Sequence, residues 1–132
     1  MTVVLDASAM IDWLLGRLGG EAAADLERPP DEGFVAPTAF RYEVGQYFRH
    51  APHNGELTVE QATAAMEIVA DFGIELVDVP VLDAWQHVGR LSWGDAEHIA
   101  LTLSLDGGVL WTTDARLTRS GVLTENQHRL LV

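Results

Sequence analysis

The 132-residue sequence predicts an α/β fold, a central parallel sheet with helices on both faces. Three observations carry this reading. Short β-branched or apolar runs recur as VVL, IELV and VLW. Segments of helical periodicity alternate with them. At least three of those segments exceed ten residues, which a sandwich would not accommodate, and the strand runs do not suit a helical bundle.

The elements follow in order. Thr2–Asp6 (TVVLD) reads as a buried strand. Ser8 to about Gly16 reads as a helix with Met10, Ile11, Leu14 and Leu15 on one side. A short helix over Glu21–Arg28 is stopped by Pro29-Pro30. Phe34–Ala36 is a weak strand, and Pro37 opens a helix to about His50, ended near Pro52 and Asn54-Gly55. Thr58 and Gln61 form a capping box for a helix to Phe72, with Gly73 following it. Ile74–Val79 reads as a strand, and Pro80 as the start of a helix to about Leu91. Ser92 and Asp95 resemble a second capping box, for a helix to Leu105 that Gly107-Gly108 ends. Val109–Thr112 is a strand, Ala115–Ser120 a short helix and Arg129–Val132 a last strand. No repeat or linker interrupts the chain, so the expectation is a single domain over 1–132.

Composition removes several chemistries. The chain has 20 acidic and 8 basic residues, a net charge of −12, and the acids divide evenly between its halves. All the basic residues are arginine. The lack of lysine excludes Schiff-base and Walker-type lysine sites. The lack of cysteine excludes thiol nucleophiles and thiolate zinc sites, and gives no sign of an oxidising compartment. The start lacks the basic region of a signal peptide, and no apolar run approaches the ~18 residues of a membrane span. The expectation is a cytoplasmic protein with no membrane partner. So acidic a chain repels phosphates, which argues against nucleic-acid binding unless the charge is offset locally.

Four acids stand out. In open α/β sheets, sites lie beyond the carboxyl ends of the strands. Asp6 ends the first strand and Asp114 follows Val109–Thr112. Asp95 lies in the first turn of its helix. Taken singly, Asp6 and Asp114 could each cap a helix, and Asp95 could complete a capping box. Glu43 differs, because it projects from the edge of the stripe formed by Phe40, Val44, Tyr47 and Phe48. A carboxylate there is costly unless an arginine or a cation pairs it. Acids that converge in a cleft repel one another, and a divalent cation relieves the repulsion. Oxygen donors without cysteine favour Mg²⁺ or Mn²⁺ over zinc.

VVLDASAMIDWLL, FRYEVGQYFR and LSWGDAEHIALTLSLDGGVLWTTDARL resemble the successive acidic motifs of PIN-domain ribonucleases. Within that family the chain is most similar to the VapC toxins of toxin–antitoxin pairs. The resemblance covers essentially the whole chain, including Pro37, Arg41 and Glu43 in a PxxxRxE segment. It implies a three-layer α/β/α fold with Asp6, Glu43, Asp95 and Asp114 as catalytic metal ligands. It gives Ser8 and Thr112 supporting roles, where hydroxyls orient carboxylates. It further implies RNA hydrolysis, a homodimer and inhibition by a cognate VapB-like antitoxin. Gly94 and His98 occupy places where family members often carry an aromatic.

Other features compete less well. His50 and His53 read as solvated loop residues, and His98 as a packing or hydrogen-bonding residue. Asp12 reads as part of a solvated helix face, and the four tryptophans as core or interface anchors. Arg116 and Arg119, in an acid-free stretch after Asp114, are candidate substrate contacts, and Arg41 and Arg49 flank Glu43 as a further part of a basic rim. The expected function is a Mg²⁺- or Mn²⁺-dependent endoribonuclease toxin. The rivals are a metal phosphatase or DNA nuclease using the same acids, and an inactive scaffold whose acids are only caps.

Overall fold

The computed structural model describes residues 1–132. Its five strands are β1 (Thr2–Leu5), β2 (Phe34–Pro37), β3 (Glu75–Val77), β4 (Gly108–Thr112) and β5 (His128–Leu130). All pair in parallel, in the order β3-β2-β1-β4-β5. The helices are α1 (Ala7–Leu14), α2 (Gly20–Glu27), α3 (Thr38–His50), α4 (Val59–Asp71), α5 (Val81–Trp85), α6 (Trp93–Ser104) and α7 (Ala115–Thr118). A single 3₁₀ turn, Glu125–Gln127, leads into β5.

The alternation of side chains along each strand divides the core into two layers. Val3 and Leu5 of β1 face one way, with Phe40, Val44 and Phe48 of α3 and Met10 of α1. Val4 faces the other way, with Ile99 and Leu101 of α6, Leu110 of β4 and Leu117 of α7. This is the expected three-layer α/β/α arrangement. Strand order reverses between β1 and β4, so a crevice opens beyond their carboxyl ends.

Local chemistry sets most boundaries where the sequence places them. Thr58 and Gln61 form the capping box of α4. Gly73 follows that helix at φ +79°, a left-handed conformation that glycine adopts freely. The helix expected from Pro80 to Leu91 is much shorter, because α5 ends at Trp85. His87 and Val88 bond back only three residues, to Ala84 and Trp85, and Gly89 then takes φ +32°. The chain must turn there to reach Ser92 and start α6. The strand expected over Ile74–Val79 shortens to three residues, matching its pairing with Val35–Pro37 of β2.

Candidate acidic site

The end of β1 is welded to the end of β4. The Asp6 amide donates to the Trp111 carbonyl at 2.9 Å, extending the ladder by one residue. Asp6 occupies the N-cap position of α1, yet its side chain caps nothing. Its Oδ2 instead accepts from Ser8 Oγ at 2.7 Å and Thr112 Oγ1 at 2.6 Å. Thr112 Oγ1 accepts in turn from the Asp114 amide at 2.9 Å, and Ser8 Oγ from the Thr113 amide at 3.2 Å. Asp6 is 3% exposed and Thr112 fully buried, so this network orients one carboxylate in a low-dielectric setting.

α6 supplies the second wall. Ser92 Oγ accepts from the Asp95 amide at 3.1 Å, half of the expected capping box. The reciprocal half is replaced, because the Asp95 carboxylate turns inward. Burial raises its pKa above the ordinary carboxylate range, and the charge of Asp6 adds to the shift, against Ser92 and Arg116. One turn on, His98 is fully buried, with Nδ1 2.7 Å from the Gly94 carbonyl and Nε2 3.6 Å from Asp6 Oδ1.

α3 brings Glu43 to the same place. No arginine pairs with it, so the salt-bridge explanation of this residue does not apply. Its Oε1 is buried without a hydrogen-bond partner, as is His98 Nε2. Burial pushes the Glu43 carboxyl up to about 7; Asp6 and Asp95 push in the same direction, and His98 opposes them.

Asp114 is held differently. Its carboxylate caps α7 by accepting from the Arg116 amide at 3.0 Å, and it pairs with the Arg116 guanidinium at 2.5 Å. That pairing lowers its pKa. Arg116 also comes within 3.8 Å of Asp95, so it bridges Asp114 to the inner acids. Arg119 is exposed one turn on, with Nε donating to the Ala115 carbonyl.

Arg41 and Arg49 do not rim this cleft. They lie with Gly45 on a separate stripe of α3, and line grooves shared with α4 residues Val69 and Met66. The helical period turns 41, 45 and 49 away from 42, 43, 46 and 50. Asp12 pairs with Arg17 at 3.5 Å on the outer surface. His50 and His53 are exposed. Among the tryptophans, Trp111 is buried, Trp13 packs on Phe72, and Trp85 is 62% exposed.

Two residues that support the site escape sequence reasoning. Gly94 leaves the space in which Glu43 sits; a Cβ there would collide with Glu43 Oε1. A glycine in the first turn of an otherwise well-formed helix was the available signal. Glu97, 8% exposed, accepts from Trp93 Nε1 at 2.8 Å and from the Ala39 amide at 3.3 Å. It thereby ties α6 to the first turn of α3. The W-x-x-x-E spacing places Trp93 and Glu97 on one helical face, but nothing in the sequence points to Ala39.

The donor set fits a hard divalent cation in its chemistry. Asp6 and Asp95 are close enough to raise the proton affinity of Glu43, Asp6 does the same to Asp95, and Glu43 Oε1 is an orphaned oxygen donor. No three Asp, Glu or His side chains surround one point as they stand, so the fit lies in donor type and mutual repulsion rather than in a preformed cage.

The PIN domain family model matches residues 3–123. The chain therefore belongs to the PIN-domain family, whose members are generally nucleases and typically use divalent metal ions. The fold is similar to that in the crystal structure of PAE2754 from Pyrobaculum aerophilum, at a TM-score of 0.71 and 20% identity. That match covers 97% of this chain and 83% of the other. Curated protein sequences give no match. No helix is long and apolar enough to cross a membrane.

Proposed function

We propose that this PIN domain is a Mg²⁺- or Mn²⁺-dependent endoribonuclease acting as a VapC-like toxin. The observation that carries the proposal is the buried, unpartnered Glu43 oxygen facing Asp6 and Asp95 beyond the β1–β4 switch point. A scaffold gains nothing from keeping such an oxygen unpaired, since an unsatisfied buried acceptor costs about 1–3 kcal/mol.

Asp6, Glu43 and Asp95 would hold the cation, with Asp114 joining them when Arg116 releases it. The chemistry supplied by a bound cation is charge neutralisation and activation of water for phosphodiester hydrolysis. Ser8 and Thr112 keep the Asp6 carboxylate in one orientation. Arg116 and Arg119 are placed to receive a phosphate beside Asp114. Only local charge is offset, so RNA affinity should be modest and cation-dependent. The partner in this reading is a cognate VapB-like antitoxin whose basic segment enters the acidic cleft, and the assembly contains a homodimer. We place the protein in the cytoplasm.

The test is cleavage of single-stranded RNA. Activity should require Mg²⁺ or Mn²⁺ and disappear in EDTA. Asp6→Asn should remove it with the fold intact. Full cleavage in EDTA would overturn the metal-dependent reading, and cleavage of DNA alone would favour the DNA nuclease.

A further inference from the structure

A cleft of about 500 Å³ opens from Ser8 and Glu43 and runs between α1 and α3 towards His50 and Asn54. It is continuous with the acidic site, because Ser8 and Glu43 line both. Its α3 wall is the stripe Tyr42, Gln46 and His50, spaced four residues apart. Tyr42 is 69% exposed, and its hydroxyl accepts from Gln46 Nε2 at 3.3 Å, which steadies the ring at the mouth. No arginine lines the cleft.

That distribution divides the surroundings of the acids into two sides. The β4–α7 side carries Arg116 and Arg119, which suit a phosphate. Beyond Glu43, the α1–α3 side offers the exposed ring of Tyr42, the Tyr47 ring whose hydroxyl donates to Glu56, two amides and an imidazole, with no arginine to hold a phosphate. Single-stranded nucleic acid is bound in just these two ways. Its phosphates go to arginine, while its bases stack on exposed aromatics and present their edges to amide side chains.

We propose that the α1–α3 cleft is a nucleobase subsite. In it the base next to the scissile phosphate stacks on Tyr42, with its edge read by Gln46 and Asn54. The proposal rests on the ribonuclease reading and adds to it the source of base preference.

The test uses single-stranded RNA octamers carrying one 2-aminopurine, moved position by position, with Ca²⁺ present. Cleavage of the same octamers in Mg²⁺ is followed separately. Wild type should quench the fluorophore at one position adjacent to the cut bond. Tyr42→Ala should abolish that quenching and weaken RNA affinity about 10-fold, in line with one lost stacking contact. Tyr42→Phe should retain both. Gln46→Ala should change which base is preferred beside the cut. If wild type cleaves RNA but Tyr42→Ala quenches, binds and chooses its bond as wild type does, the subsite is wrong and the ribonuclease reading stands. If wild type neither binds nor cleaves RNA, both fall.

Discussion

Glu43 and Asp114 are carboxylates at one crevice, and the protein treats them in opposite ways. Asp114 caps a helix, accepts from Arg116 and has a lowered pKa. Glu43 lies in a half-buried notch with one oxygen unpaired and a carboxyl pushed up to about 7. The first arrangement is what a stabilising surface acid looks like. The second costs folding energy, and proteins retain such costs at sites that bind something. The difference separates an acid that the protein already satisfies through Arg116 from one left unsatisfied until something binds.

The contrast can be broken at several points, and the hydroxyl connecting its two sides should matter most. Thr112 is fully buried, donates to Asp6 and accepts from the Asp114 amide. Thr112→Val keeps the shape, leaves the Asp114 amide without its acceptor and removes one of the two hydrogen bonds to Asp6 Oδ2. Chemical denaturation should show a loss of about 2–3 kcal/mol.

Glu43→Gln should act in the other direction. The folded carboxyl titrates near 7, against an ordinary value of 4.5. Below about pH 4.5 both folded and unfolded states hold the proton, and the residue carries no penalty. Between about 4.5 and 7 the unfolded chain ionises first, so stability falls as pH rises; above about 7 the penalty is complete. In EDTA at pH 8, the variant should therefore be more stable by about 1–2 kcal/mol, water at the cleft mouth reducing the full effect. The gain should vanish at pH 4. A loss of stability at pH 8 would mean that Glu43 is a structural acid after all.

Asp114→Ala should cost about 1 kcal/mol, the scale of a lost helix cap. Because the folded pKa is lowered, that stabilisation is present above the unfolded pKa of about 3.8 and fades as acid protonates the folded carboxylate. Melts at pH 7 and pH 2 should show the difference shrinking.

The subtlest change is Gly94→Ala. The new methyl meets the flexible end of Glu43 and should expel it towards solvent. Helix propensity favours alanine by up to about 1 kcal/mol, so the melting temperature should hold or rise slightly. The pH dependence assigned to Glu43 should disappear, as should any stabilisation by Mg²⁺.

The sequence made the fold legible because its signals were local. VVL, the Thr58–Gln61 box and Gly73 each specify their own element, and alternation then dictates a parallel sheet. Asp6 and Asp114 were legible by position, since each follows a strand at the reversal of strand order. The end of α5 was not, because Gly89 works there through a turn that depends on where α6 must begin. The direction taken by Arg41 and Arg49 required helical phase relative to α4, which adjacency to Glu43 conceals. Gly94 and Glu97 act on residues of another helix; the glycine in a helix first turn marks an unusual position, but neither residue names its partner on α3.

The central claim is that these acids form one cation site, and thermal melts at pH 8 test it most directly. Wild type and Glu43→Gln are compared in EDTA and in Mg²⁺. The account predicts that Mg²⁺ raises the wild-type stability, by about 2.7 kcal/mol at a hundredfold excess over its dissociation constant. Glu43→Gln should start higher in EDTA and respond far less. Melts in which Glu43→Gln is the less stable protein and Mg²⁺ moves neither would contradict the account.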